Sequence, residues 1–320
     1  MTRYHARFRK IANSLHRVEL TRRTEAPTWP TTEDAWFASE PDERRFLDFY
    51  SEDGIRLALD RYGVYAALER RGWVEPSIET RAEDNRHLVF VEAAHPNVDD
   101  RRRILELAMR RDFLHPANEV GLPAVEPMYE VLTVDWMHLA DPSRRFTPDR
   151  PRLPGQRWPG LGMGERVLEL IYRIVDRLEL DAMLTVGERF HNAALYVREM
   201  PFFEPFYAAQ LSALEDELFG AHDLNLAQAA WAIEWGLVRR EDGQPFRWRG
   251  EAMLHAHASS LKRYFNARSW RARVDAWRIW FGFSLDRAAF DARWAEAAPA
   301  LTGALSPDEA AAAADEAGER

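Results

Sequence analysis

Apolar positions recur along this chain with two different periods, and the switch between them outlines its elements. From Pro41 to Arg71 the spacing is helical and predicts two helices. Asp42 or a neighbour is placed to cap the first, while Ile55, Leu59, Tyr62, Tyr65, Ala66 and Leu68 return at helical spacing in the second, which Gly72 ends. The period then shortens. Residues 74–81, 87–94, 103–113 and 128–139 are short runs rich in Val, Ile, Leu and Phe, separated by turn clusters such as 82–85 (AEDN) and 95–100 (HPNVDD). This pattern predicts consecutive antiparallel strands. In the last run Val131, Thr133, Asp135 and Met137 share one face, and Leu132, Val134, Trp136 and His138 share the other. Residues 16–22 (HRVELTR) read as one earlier strand, and 24–41, rich in Pro, Thr and acids, as a loop.

A proline-rich loop over 140–159 leads into a predicted helix at 163–179. There Val167, Leu168, Leu170, Ile171, Ile174, Val175 and Leu178 form one apolar stripe. Residues 181–186 predict a strand, 190–199 a helix, and 206–219, 224–236 and 259–281 further helices. The fold class expected is α/β (α+β), with a mostly antiparallel central sheet flanked by helices and a helical C-terminal extension. The expected organisation is a domain over 1–204, the extension over 205–304 packed on it, and an acidic, Ala-rich tail over 305–320 expected to be disordered.

Composition narrows the function. At 320 residues with 46% apolar content, the chain can bury a sizeable core. A net charge of −9 argues against nucleic acid as a partner, because phosphate binding needs a basic surface. With no cysteine, disulfides, thiolate metal sites and a cysteine nucleophile are excluded. Lys10 and Lys262 are the only lysines, which makes a Schiff-base lysine a poor candidate. The basic N-terminal stretch lacks the apolar core of a secretory signal, and no run approaches 18 apolar residues, so the expected location is cytoplasmic without stable membrane insertion.

The richest segment for chemistry is 157–202. Three glycines, Gly160, Gly162 and Gly164, empty directly into the 163–179 helix. Unpaired backbone N–H groups and the helix dipole converge at such a terminus and favour an anion, so this is the expected cradle for a phosphorylated cofactor. From this point the chain resembles the GCN5-related N-acetyltransferase superfamily, best over 128–204 and more loosely over 16–127. The family's cofactor motif is Gln or Arg, two residues, Gly, one residue, then Gly or Ala, opening a helix that cradles the coenzyme A pyrophosphate. Here 162–183 (GMGERVLELIYRIVDRLELDAM) matches the family's glycine–helix–strand length without a gap.

The resemblance implies a cradle of Gly162 and Gly164, with backbone amides from Met163, Gly164, Glu165 and Arg166. In that register Pro159 holds the Gln/Arg position; a shift of two residues places Arg157 there, with Gly160 and Gly162 as the glycines. The family's Asn-Ala, Leu-Tyr signature reappears as 191–203 (HNAALYVREMPFF), which implies a cofactor contact at Asn192. Where relatives use the tyrosine, it protonates the departing coenzyme A thiolate, a role that falls to Tyr196. The function implied is acyl transfer from acetyl- or longer acyl-coenzyme A to an amine, carried by a small molecule or peptide, by direct attack. The alternative is a non-catalytic binding or assembly module of the same fold; a homodimer is compatible with either.

Amine acylation needs a base and an oxyanion-stabilising group. Asp135 and His138, with Glu130, lie on the strand beside the glycine loop, and Asp135 and His138 point to opposite faces of a regular strand. Glu188 and His191 stand where the next strand gives way to a helix; His191 is a candidate base, or a packed or capping residue. His255 and His257 form an H-x-H pair without a matching carboxylate, a weak metal signal. Trp270, Val274, Trp277 and Phe281 align on one face of 259–281, which suits docking on the main domain or, alternatively, a membrane surface or the wall of an apolar channel.

Overall fold

The structure, a computed structural model, describes residues 2–21, 45–118 and 120–303. It is an α/β fold built on a six-stranded, mostly antiparallel sheet flanked by helices. The chain runs α1 (His5–Ser14), α2 (Arg17–Thr21), α3 (Glu52–Arg61), α4 (Val64–Glu69), β1 (Val74–Glu83), β2 (Arg86–His95), β3 (Val98–Leu114) and β4 (Tyr129–Leu139). It continues through α5 (Gly164–Arg177), β5 (Ala182–Val186), α6 (Phe190–Tyr196), α7 (Pro205–Glu215), a π-helical stretch (Asp216–Ala221) and α8 (Leu226–Glu234). The last elements are β6 (Val238–Arg240), β7 (Ala252–Ala256), α9 (Ser259–Asn266), α10 (Arg268–Arg278), β8 (Phe283–Leu285) and α11 (Arg287–Leu301). Strand order in the main sheet is β1-β2-β3-β4-β5-β7, and β6 and β8 form a separate ribbon. The predicted loop at 24–41, the helix start at Asp42 and the tail at 305–320 lie outside the described residues.

Contacts divide the chain into two compact units. The first takes 1–112, 132–140 and 161–178; the second takes 113–131, 141–160 and 179–320. In the first, β1 and β2 pair with Glu79 opposite Phe90, and β2 and β3 with Leu88 opposite Ala108. The apolar stripe of α5 is buried through Val167, Leu168, Ile171, Tyr172 and Val175, a burial that contributes roughly 1.5–3 kcal/mol for each large side chain. Two charged groups, Arg166 and Glu169, go under with it; Glu169, fully buried, meets His5 Nδ1 at 3.2 Å and Arg173 Nη2 at 3.1 Å, which compensates its desolvation. In the second unit, β5 and β7 pair antiparallel with Leu184 opposite Leu254, over a core of Tyr129, Val131, Phe203, Leu261 and Tyr264.

Three expectations are corrected. Within the predicted strand at 16–22, residues 17–21 form the single helical turn α2 instead. In a strand Val18 and Leu20 would share a face, whereas here Leu20 is 2% exposed and Val18 is 69% exposed. His16 N donates to Glu19 Oε2 at 2.8 Å and so caps the turn. The helix read through Ile55 and Leu68 is broken at Gly63, whose φ of 69° is left-handed and separates α3 from α4. The helix read over 259–281 is two, because Ala267 takes an extended conformation between α9 and α10. Asn266 Nδ2 donates to Lys262 O at 2.8 Å at that break, satisfying a terminal carbonyl. Trp277 and Phe281 pack on Phe206 of α7, with ring centroids 5.3 and 5.0 Å away, so this face is docked within the unit.

Candidate functional site

The glycine loop emerges at the end of β4, where Leu161 N donates to Leu139 O at 3.1 Å. Gly162 adopts a φ of 70°, a conformation that glycine reaches without strain. Arg71 pins the loop by donating from Nε to Leu161 O at 2.8 Å and from Nη2 to Gly162 O at 3.1 Å. Met163 is buried at the N-cap of α5, and the first intrahelical bond runs from Val167 N to Met163 O at 3.0 Å. The amides of Gly164, Glu165 and Arg166 therefore stand ahead of the helical ladder. A Cβ built on Gly164 meets nothing within 4 Å, so the surroundings leave room for a side chain at that position.

The side chains of this first turn are engaged elsewhere. Glu165 receives Arg3 Nε at 2.9 Å and the Arg3 amide at 2.6 Å. Arg166 is buried: its Nη1 donates to Tyr62 O at 2.7 Å and Gly63 O at 3.0 Å, and its guanidinium lies 4.6 Å over the Tyr4 ring. What these two residues offer a ligand is backbone, not charge.

Asp135 and His138 face opposite sides of β4, as strand alternation requires. The Asp135 carboxylate accepts from Arg86 Nε and from Arg110 Nε, each at 3.2 Å. It is thus the acceptor in a four-residue ion cluster, with Arg86 of β2 and with Arg110 of β3, which also pairs with Asp112. His138 is exposed on the face shared with Trp136, whose Nε1 donates to Glu106 at 2.8 Å.

The other predicted residues belong to the second unit. Arg157 and Gly160 are exposed in the proline-rich loop, and the Arg157 guanidinium sits 5.6 Å from the Trp158 ring. Asn192 lies in the first turn of α6, its amide donating to Arg189 O at 3.0 Å. Tyr196 ends α6, half-buried, and desolvation pushes its phenol above the ordinary tyrosine range, so it keeps its proton at neutral pH. Glu130 and Asp181 are joined through backbone: Glu130 N donates to Asp181 Oδ2 at 2.9 Å.

His191, weighed from sequence as a base or a packed residue, is 5% exposed in the first turn of α6. Burial first, and the Arg189 charge second, lower its pKa to about 4. It lines a cavity of about 310 Å³ together with Glu188, Arg189, Glu234, Arg247 and Trp248. Arg247 and Trp248 carry no sequence signal, since 244–251 has no periodicity that would bring them to His191, and Glu234 lies in the predicted 224–236 helix with nothing local to place it there. The H-x-H pair is divided: His255 lies in β7 with Nδ1 3.1 Å from Glu199 O, while His257 follows the strand, its amide donating to Asp181 O. Among the described residues there is no group of three or more metal-ligating side chains, and no helix is long and apolar enough to cross a membrane. Comparison of the chain with family profiles, curated proteins and solved structures returned no match.

Proposed function

We propose that this chain is a cytoplasmic acyl-coenzyme A-dependent N-acyltransferase of the GCN5-related type, with a divergent site. The observation that carries the reading is the start of α5: a left-handed Gly162, an unobstructed Gly164 and three successive amides ahead of the helical ladder. That terminus follows β4 and leads through α5 into β5, the order in which the superfamily builds its pyrophosphate cradle. Positive dipole and free donors at one point suit a phosphate. In the reaction, the acceptor nitrogen bonds to the acyl carbon, the carbon–sulfur bond breaks, and the thiolate takes a proton. Tyr196 is the proton donor that the resemblance implies for that last step, and burial keeps its phenol protonated at neutral pH.

One observation favours the second reading, a binding or assembly module without turnover. Asp135 is neutralised by two arginines and His138 is exposed on the opposite face, so neither expected base is poised. Thermal unfolding with acetyl- and longer acyl-coenzyme A at about 1 mM tests the shared premise, since a ligand at 100 times its Kd stabilises by about 2.7 kcal/mol. No shift with any of them overturns both readings. Gly164→Val, which meets no protein atom at its Cβ, is expected to leave the unliganded Tm unchanged and to abolish the shift. Binding without thioester cleavage across a broad amine panel selects the second reading.

A further inference from the structure

The cavity beside His191 is built within the second unit from four separate segments. Pro154 comes from the proline-rich loop, Glu188 to His191 from the start of α6, Ala230 to Glu234 from α8, and Arg247 and Trp248 from the irregular chain before β7. Its walls are fixed. Trp248 Nε1 donates to Gly187 O at 2.7 Å and its ring meets Phe190 edge-on at 5.8 Å. A Cβ on Gly250 would stand 2.8 Å from Glu188 Cα, so these two segments are in backbone contact.

The charges around the cavity are unequally satisfied. Arg189 Nη1 and Glu234 Oε1 pair at 3.1 Å and neutralise each other. Arg247 donates to a carbonyl, Glu234 O, at 3.3 Å, and among the described residues it has no carboxylate partner. Glu188 likewise has no cationic partner among the described residues. One cation and one anion thus remain on a single cavity, above an apolar wall of Phe190, Ile233 and Trp248. His191, 5% exposed, lines the same cavity, with its Nδ1 sealed from solvent and so out of reach of a ligand there.

We propose that this cavity binds a small zwitterion of the amino-acid or short-peptide class, its carboxylate on Arg247, its ammonium on Glu188 and its apolar side chain against Phe190 and Trp248. A simple anion leaves Glu188 facing it, and a simple cation leaves Arg247 facing it; only a ligand with both charges satisfies both ends. His191, neutral at pH 7, adds no third charge to the cavity. This site stands apart from acyl transfer, and its test needs no coenzyme A.

The test is calorimetric titration of the full chain with L-leucine, L-methionine and L-phenylalanine. Leucinamide, which lacks the carboxylate, and N-acetylleucine, which lacks the ammonium, are titrated alongside. Saturable binding of at least one amino acid is expected, with each leucine analogue weaker by about ten-fold or more wherever leucine binds. Arg247→Ala is expected to weaken the amino acid about ten-fold and leave leucinamide unchanged; Glu188→Gln does the same with respect to N-acetylleucine. Both side chains are exposed, so an unchanged Tm accompanies each variant. Absence of binding by all three amino acids at about 10 mM overturns the proposal. So does binding by the analogues as tight as by the zwitterion.

Discussion

Arg166→Met separates the backbone role of the α5 N-terminus from any role of its side chain. The Arg166 guanidinium is buried and donates to Tyr62 O at 2.7 Å and Gly63 O at 3.0 Å. Gly63 O also accepts from Ala67 N at 3.2 Å, so it keeps a helical partner after the substitution. Tyr62 O loses the guanidinium. Charge-assisted bonds contribute about 1.5–3 kcal/mol each, and an orphaned buried carbonyl costs about 1–3 kcal/mol. Methionine offsets part of this by filling similar volume without a buried charge. A net loss of about 2–4 kcal/mol follows, measured by urea unfolding of both proteins followed by circular dichroism. The variant keeps the Arg166 amide, so acyl-coenzyme A affinity is expected to stay within about three-fold of wild type, less than 0.7 kcal/mol. A stability loss below about 1 kcal/mol would refute the structural role assigned to the side chain. A loss of coenzyme A affinity at unchanged stability would show that the guanidinium reaches phosphate instead.

Other consequences can be measured directly. Gly54→Ala drives a Cβ into Leu20 O, where the partner is backbone; α2 and α3 must separate, and a destabilisation of about 2–4 kcal/mol is expected by thermal or urea unfolding. Asn225 and Gln228 form a reciprocal capping box at α8, so Asn225→Ala should cost about 1 kcal/mol, whereas an unchanged midpoint removes the cap from the stability account. His191 titrates at about 4 in the folded protein against 6.5 for the free side chain. The unfolded chain therefore takes up this proton first as pH falls, and stability is lost between pH 6.5 and about 4, on the order of 3 kcal/mol in all. His191→Phe should flatten that interval of the stability–pH curve; an identical slope in the variant would contradict the burial effect.

Period-two and period-3.6 patterning carried most of the local structure. The four strands between Val74 and Leu139 follow from short apolar runs set between turn clusters, and the amphipathic α5 from one apolar stripe, although β2 and β4 bury consecutive residues on both faces. The pattern failed where the signal was short or where one residue's backbone overrode it. Five residues at α2 are too few to distinguish two periods, Gly63 takes a left-handed φ inside a continuous helical spacing, and Ala267 breaks a stripe that looks unbroken. Alternation likewise placed Asp135 and His138 on opposite faces, but it could not supply their neighbours. Arg86 and Arg110 reach Asp135 only through strand register, which depends on partners far away in the chain. The Gly162–Gly164 loop was legible because glycines before an apolar stripe are contiguous in sequence. The His191 cavity was not, since Pro154, Glu188, Glu234 and Arg247 meet only after four segments pack. The sequence alone determined the strands between Val74 and Leu139, the helix α5 and the glycines that lead into it, since those depend on neighbours a few positions apart. Tertiary structure alone decided which charges are neutralised and which are left facing a cavity, because electrostatic partners are chosen by distance in space.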